Sequence, residues 1–473
     1  MSFFFLCVVL LVVGYLVYGK VVEKIFGARP EYPTPCFEYR DDCDFAPMPG
    51  WKIFFIQLLD IAGLGLIFCP ILGALYGPSA LLWIVFGGIF AGGVHDYMSG
   101  MLSVRSKGRS IPEVVGDVMG LTARQVVRVF SMILLLLAAM VFALGPAELL
   151  GRVLGVDVRL LVAIIFLYYF LAAILPVRTL IGRLYPILGV LLLVMSVGVA
   201  VSLIYNGYQI PSLDFTANTH PKDLSRWPLL FITLSCGAIS GLHAAQSPLM
   251  ARCIRNERSG RGVFYGAMIA EGLISLIWAT AGLSFYDNPV AMQAVIDTAS
   301  PAGVVQAVCS SLFGPVGGFL AIFGAAALPV ASGGAAFRST RLIVADAFGV
   351  PQQKAFKRLL LVGPLFVVAF FLAAQDFGVL WRYFGWFNQS LAMMALWVSA
   401  VYLVQNHSFH WIATMPAAFM TVVSVSFILQ APIGFHIPAM VSNILGVASG
   451  LAAIVVFMMY ANRCCQSPAP SSI

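Results

Sequence analysis

One motif recurs from end to end of the chain: apolar runs about 20 residues long, separated by short polar stretches. Thirteen stand out, at approximately 2–19, 53–76, 79–101, 126–147, 159–175, 184–205, 228–246, 263–283, 314–332, 358–374, 385–404, 411–429 and 439–460. Each is long enough, at about 1.5 Å per residue, to cross a hydrocarbon core of about 30 Å. Only helices and closed barrels satisfy their backbone groups in lipid, and these continuous runs lack the two-residue alternation of barrel strands. Charged residues are only 10% of the 473 and hydrophobic ones 60%, too little charge to cover a soluble surface. A cytosolic enzyme and a secreted module are therefore excluded. The expectation is a single all-α polytopic membrane domain with about 13 transmembrane helices. The first run has no basic region ahead of it and no small-residue cleavage motif before Lys20, so it reads as a span and not as a signal peptide.

An excess of 27 Lys and Arg over 20 Asp and Glu would suit a nucleic-acid partner, but no basic cluster is interleaved with aromatics, and none is expected. Position matters more than total. Assigning successive loops to alternate sides puts 22 of the 27 cations on one side, including Lys52, Arg105, Arg178, Arg255, Arg338 and Arg463. The positive-inside rule then places the N-terminus outside and the C-terminus in the cytoplasm. Cys36 and Cys43 fall on the cytoplasmic, reducing side, so no disulfide is expected, and no cysteine spacing implies a metal.

Helix breakers at membrane depth free backbone groups that protein, water or a ligand must satisfy. Three spans carry them. Span 2 reads Gln57-Leu-Leu-Asp60-Ile-Ala-Gly63-Leu-Gly65-Leu-Ile-Phe-Cys-Pro70, and span 7 reads Ser235-Cys-Gly237-Ala-Ile-Ser240-Gly241-Leu-His243-Ala-Ala-Gln246-Ser247-Pro248. Span 9 contains Leu328-Pro329-Val-Ala-Ser332-Gly333-Gly334. Spans 2 and 7 lie five helices apart and run in opposite directions, as an inverted repeat of five plus five helices requires. Unwound helices of this kind expose amides to an anionic substrate and carbonyls to a cation. For Gly87-Gly88 and Gly92-Gly93 in span 3, close helix packing is the preferred reading.

Ionisable groups inside a span are candidates for function. Asp60, His95, Asp96, His243, Glu148 and Glu271 lie at or near such depth. No His-Glu-x-x-His, Gly-x-Ser-x-Gly or Walker A pattern occurs, and no loop is long enough for a nucleotide-hydrolysing domain. Gradient-driven transport or facilitated diffusion is what remains, with no enzyme activity and no cofactor expected.

The runs Asp60-Ile-Ala-Gly63-Leu-Gly65, Phe90-Ala-Gly-Gly-Val-His95-Asp96-Tyr-Met-Ser99-Gly, Cys236-Gly-Ala-Ile-Ser240-Gly-Leu-His243-Ala-Ala-Gln246-Ser247-Pro, Ala336-Phe-Arg338-Ser-Thr-Arg341 and Trp386-Phe-Asn388-Gln389-Ser closely resemble the carbon starvation protein A family, in its short form. Such motifs extend in order over about residues 15 to 405. The resemblance implies a nutrient transporter of the inner membrane, linked to peptide uptake in starved cells and in some members to proton-coupled pyruvate uptake. It also implies the leucine-transporter fold of the amino acid–polyamine–organocation superfamily. On that pattern residues 1–20 form an extra N-terminal helix, 21–52 a cytoplasmic linker, 53–205 the first repeat and 206–227 an extracytoplasmic loop. Residues 228–404 form the second repeat, and 405–473 two peripheral helices and a tail.

Substrate is then expected at the unwound centres of spans 2 and 7. Gly63, Gly65, Gly237, Ser240 and Gly241 would supply backbone contacts, His243 and Gln246 recognition, with Asn388 and Gln389 reaching in from span 11. His95, Asp96 and Arg338 would belong to the pathway or to a polar network. The resemblance places a cation site between spans 2 and 9, and there the chain departs from its family. The family run Thr-Ser-Gly-Asp-Thr-Ala-Phe-Arg is here Ala331-Ser332-Gly333-Gly334-Ala335-Ala336-Phe337-Arg338, while Asp60 replaces the usual Asn. Asp60 is therefore expected to supply the charge that Gly334 lacks and to take up the coupling proton, with Ser332 the remaining hydroxyl of span 9.

Overall fold

The computed structural model describes residues 1–177, 181–210, 213–215 and 218–466; Arg178 and the end of the expected tail, 467–473, lie outside the described residues. Among the described residues every regular element is helical. After α1 (Ser2–Phe26), the first five-helix unit comprises the broken pair α2 (Gly50–Ala62) and α3 (Gly65–Ala74), then α4 (Ser79–Arg105), a short α5 (Ile111–Met119), α6 (Leu121–Leu154), α7 (Val158–Ile174) and α8 (Ile181–Tyr205). The second comprises the broken pair α9 (Arg226–Thr233) and α10 (Gly241–Ala251), then α11 (Arg261–Phe285), α12 (Pro289–Phe348), α13 (Ala355–Leu372) and α14 (Phe377–Gln405). Two more, α15 (Trp411–Gln430) and α16 (Ala439–Gln466), complete the order.

Each of the thirteen expected runs contains helix, but fewer qualify as uninterrupted spans. Ten helices are long and apolar enough to cross a membrane, or eleven with α2 and α3 taken as one. The shortfall has two physical sources. Helix α7 has only 17 residues, and the span expected at 228–246 is divided by the non-helical stretch 234–240. The 60-residue α12 is kinked at Ser300 and Gly314; the piece from Pro315 onward carries the span expected at 314–332.

Burial separates centre from periphery. In α4, α11 and α14 72% of the apolar window is buried, against 28% in α1 and α8 and 22% in α13 and α16. Exposed Leu191, Val194, Val197 and Val201 give α8 a continuous apolar face that water would not tolerate but lipid tails match. At the centre small residues admit close crossings. A Cβ on Gly92 would stand 2.1 Å from the carbonyl oxygen of Ala238, so this glycine lets α4 approach the unwound 234–240 stretch, where helix-on-helix packing was expected. Helix α3 lies on α11, α10 on α4 and α14, and α12 on α6 and α2, so both broken pairs are enclosed by helices from both units.

Candidate functional site

The breaks of the two units meet. Helix α2 ends at Ala62, and Gly63 turns the chain with φ 38° and ψ −164°, so α3 leaves at 52° to α2. Only glycine holds that φ without strain, and a Cβ there would also lie 2.4 Å from the Phe142 ring. In the second unit Gly237, with φ 87°, lies in the unwound stretch between α9 and α10. The two segments are in contact: a Cβ on Gly65 would fall 2.3 Å from Cys236 Sγ.

Beside the first break, Ser332 Oγ donates to the main-chain oxygen of Asp60 at 2.7 Å, and the Ser332 carbonyl accepts from Gln246 Nε2 at 3.2 Å. Asp60 and Ser332, read from the sequence as one cation site, are thus in contact, and Gln246, read as a substrate residue of span 7, joins them through the Ser332 carbonyl. All three are fully buried, and both carboxylate oxygens of Asp60 and Oε1 of Gln246 have no hydrogen-bond partner. Helix α7 packs against both glycines of α12, against Gly333, which matches the family run, and against Gly334, where the family carboxylate is missing. A Cβ on Gly333 would lie 2.0 Å from the Tyr169 hydroxyl, and one on Gly334 2.9 Å from Tyr168 Cε1. Tyr168 is 3.3 Å from the Tyr185 hydroxyl, which donates to the carbonyl of Ala331. Sequence reasoning missed these tyrosines because nothing in their spacing marks them.

Asn388 and Gln389 separate in role. Asn388 Oδ1 accepts from the amide of Leu242 at 2.8 Å and the hydroxyl of Ser240 at 3.0 Å, capping α10 from α14. This cap arrives through tertiary contact, since the Ser240 side chain makes no cap bond of its own. Gly241 packs against the α14 backbone, where a Cβ would lie 2.3 Å from Asn388 O. Gln389 Nε2 instead donates to Phe231 O of α9 at 2.7 Å.

His243 belongs to a buried chain of ionisable groups. His95 Nδ1 and His243 Nδ1 each lie 2.8 Å from a different oxygen of Asp96. On the far side of the His243 ring, Nε2 stands 3.3 Å from Glu271 Oε2, and Glu271 Oε1 accepts the amide of Gly237 at 3.1 Å. All four side chains are 0% exposed. Depth in span 8 was the only sequence signal for Glu271; its partners come from other helices.

Arg338 lies apart from these groups. Its Nε and Nη2 reach Asp44 Oδ1 at 3.1 and 2.8 Å, and Nη1 donates to the carbonyls of Ala172 and Leu175 at the end of α7. Arg341 reaches both Asp44 oxygens at 2.9 Å. Burial works against the charge of Asp44, but Arg341, Arg338 and Arg252 hold its carboxyl well below the usual carboxylate range. Asp44 had no sequence signal, being one acid among several in the polar 27–49 segment. Among the described residues no group of three or more His, Cys, Asp or Glu is arranged to hold a metal ion.

Two facing broken helices in two oppositely running five-helix units define a polytopic membrane protein of inverted-repeat transporter architecture. The family described as carbon starvation protein CstA matches residues 1–147 and 146–316, and the chain belongs to that family. An uncharacterized membrane protein of Haemophilus influenzae is 45% identical over 349 residues, covering 63% of this chain and 94% of its own. The peptide transporter CstA of Escherichia coli is 25% identical over 550 residues, covering 88% and 78%. The pyruvate/proton symporter BtsT of Escherichia coli is 24% identical over 325 residues, covering 54% and 45%. Among solved structures, the Eremococcus coleocola manganese transporter superposes with a TM-score of 0.56 at 14% identity, over 90% of this chain and 99% of that one. MhsT in complex with L-phenylalanine superposes with a TM-score of 0.58 at 11% identity, over 85% and 97%. Both have the leucine-transporter fold, which is the fold of this chain.

Proposed function

We propose that the protein is a secondary active transporter that imports a small carboxylate of the pyruvate type, or a short peptide, across the inner membrane together with protons, serving a cell short of carbon. The observation that carries this reading is Asp60. A fully buried carboxylate with neither oxygen partnered, one turn from the break in α2, suits a group that is ionised only when a pathway opens to it. Relatives named as a peptide transporter and a pyruvate/proton symporter support the same reading. Both solute classes carry a carboxylate, for which the N-terminus of α3, with no side-chain cap at Leu64, is suited. The cation asymmetry of the loops sets the orientation, with the N-terminus outside and the C-terminus in the cytoplasm.

In this cycle Asp60 takes a proton from the outer side, substrate settles between Gly63, Gly65 and the 234–240 stretch, and both leave inward when the helices rock. Gln246 and Ser332 hold the Asp60 turn while it does so. The test is uptake of labelled pyruvate, and separately of labelled dialanine, into proteoliposomes with and without an inward proton gradient. Accumulation that collapses with an uncoupler is the expected result. Uptake that only equilibrates, indifferent to the gradient, would favour a uniporter or channel and overturn the coupling.

A further inference from the structure

Beyond Asp60, the molecule contains a second set of buried groups with a proton to place. With Asp96 ionised, the Nδ1 atoms of His95 and His243 both donate to it, at 2.8 Å each. That assignment leaves a neutral His243 with a bare lone pair on Nε2. Nε2 faces Glu271 Oε2 at 3.3 Å, and an ionised Glu271 is acceptor-only. Two lone pairs cannot face one another in a dry interior without cost, so one proton belongs in that gap, on the imidazole or on the acid. No aligned hydrogen bond is formed there, and the carbonyl of Ile61 is the other acceptor that faces His243. The other oxygen of Glu271 holds the Gly237 amide, in the unwound stretch where Gly237 has φ 87°.

We propose that His243 and Glu271, anchored by Asp96, form a second proton-exchanging site, distinct from Asp60, whose occupancy sets the grip of α11 on the unwound segment between α9 and α10. This deepens the proton-coupled reading above and rests on it only for the direction of proton flow. When the proton is present, Glu271 bridges His243 and Gly237. When it leaves, the two lone pairs repel and the carboxylate shifts, taking its hold on Gly237 with it. The groups facing the pair come from every neighbouring element: Asp96 and, behind it, His95 on α4, Cys69 on α3, Cys236 in the unwound stretch, and the carbonyl of Ile61 on α2. Asp96 touches His243 and His243 faces Glu271, all three fully buried, so a proton gained or lost at Glu271 is felt through the imidazole at Asp96.

The test does not depend on knowing the substrate. Infrared difference spectra of the purified full-length protein in liposomes are recorded as pH is stepped, for wild type, Asp60→Asn, Glu271→Gln and Glu271→Asp. Two carboxylic acid carbonyl bands are expected to titrate in wild type. Asp60→Asn should remove one and Glu271→Gln the other, while Glu271→Asp should move the second band without abolishing it, which also reports that the fold survives. A wild-type titration that Glu271→Gln and Glu271→Asp both leave unchanged would overturn the proposal. In proteoliposomes the Glu271→Gln variant should carry one proton fewer per pyruvate than wild type, and an unaltered ratio would likewise overturn it. Should wild type show no proton-driven uptake of pyruvate or dialanine, the transport reading fails while the infrared result still decides the second site.

Discussion

The hydroxyl of Ser332 and the main-chain carbonyl of Asp60 are joined by a hydrogen bond of 2.7 Å that ties the last turn of α2 to α12 where α2 breaks. Ser332→Ala should leave that buried carbonyl unsatisfied, at a cost of about 1–3 kcal/mol. Thermal unfolding in detergent measures it, and an unchanged midpoint would remove the bond from the account of how the break is held.

Asp60→Asn keeps the size of the side chain and removes its ability to carry a proton. Uptake should lose the one proton per pyruvate that Asp60 carries, so the gradient drives less accumulation and the pH profile changes, while exchange of labelled for unlabelled pyruvate across the bilayer continues. A pH profile identical to wild type would take Asp60 out of the coupling step.

Asn388→Ala should unfasten the N-terminus of α10, since Asn388 Oδ1 accepts from both Leu242 N and Ser240 Oγ. Loss of a cap costs about 0.5–2 kcal/mol. Faster amide exchange confined to 238–244 is the expected signature, and uniform exchange along α10 in both proteins would contradict it.

Restoring the family carboxylate by Gly334→Asp should destabilise the protein, because Tyr168 Cε1 stands 2.9 Å and Ala172 Cβ 3.1 Å from the position of a Cβ. Overpacking of this kind costs about 1–3 kcal/mol. The double variant Gly334→Asp with Tyr168→Ala should recover much of the loss; equal stability of single and double variants would show that Tyr168 is not the obstacle.

Asp44→Asn strips the counter-charge from two buried guanidinium groups, Arg338 at 1% and Arg341 at 0% side-chain exposure. Breaking one side of such a cluster costs about 3–5 kcal/mol. Because the folded carboxyl is held below its ordinary value of about 3.9, its stabilisation is complete above that pH and is lost as pH falls toward the depressed value. The melting gap between wild type and variant should therefore be full at neutral pH and narrow in acid. A gap constant with pH would mean that the charge of Asp44 is not what holds α12.

Much of this architecture is legible in the residues. Apolar run length determines that the chain is helical and membrane-bound, because lipid offers backbone groups no partner. Gly63 and Gly237 mark both breaks, since each takes a positive φ that other residues rarely adopt. Five-helix spacing between the breaks then anticipates the two inverted units, and Asp60 beside Ser332 was legible from the family pattern. What the sequence left open are relations between distant positions. Glu271 meets Gly237 from 34 residues away, Asp96 meets His243 across 147, and Asp44 meets Arg338 across 294. Local periodicity sets which residues share a helix face, but only the crossing of helices decides which buried charge finds which partner. In a low-dielectric interior that choice of partner, more than residue type, decides which groups can hold a proton.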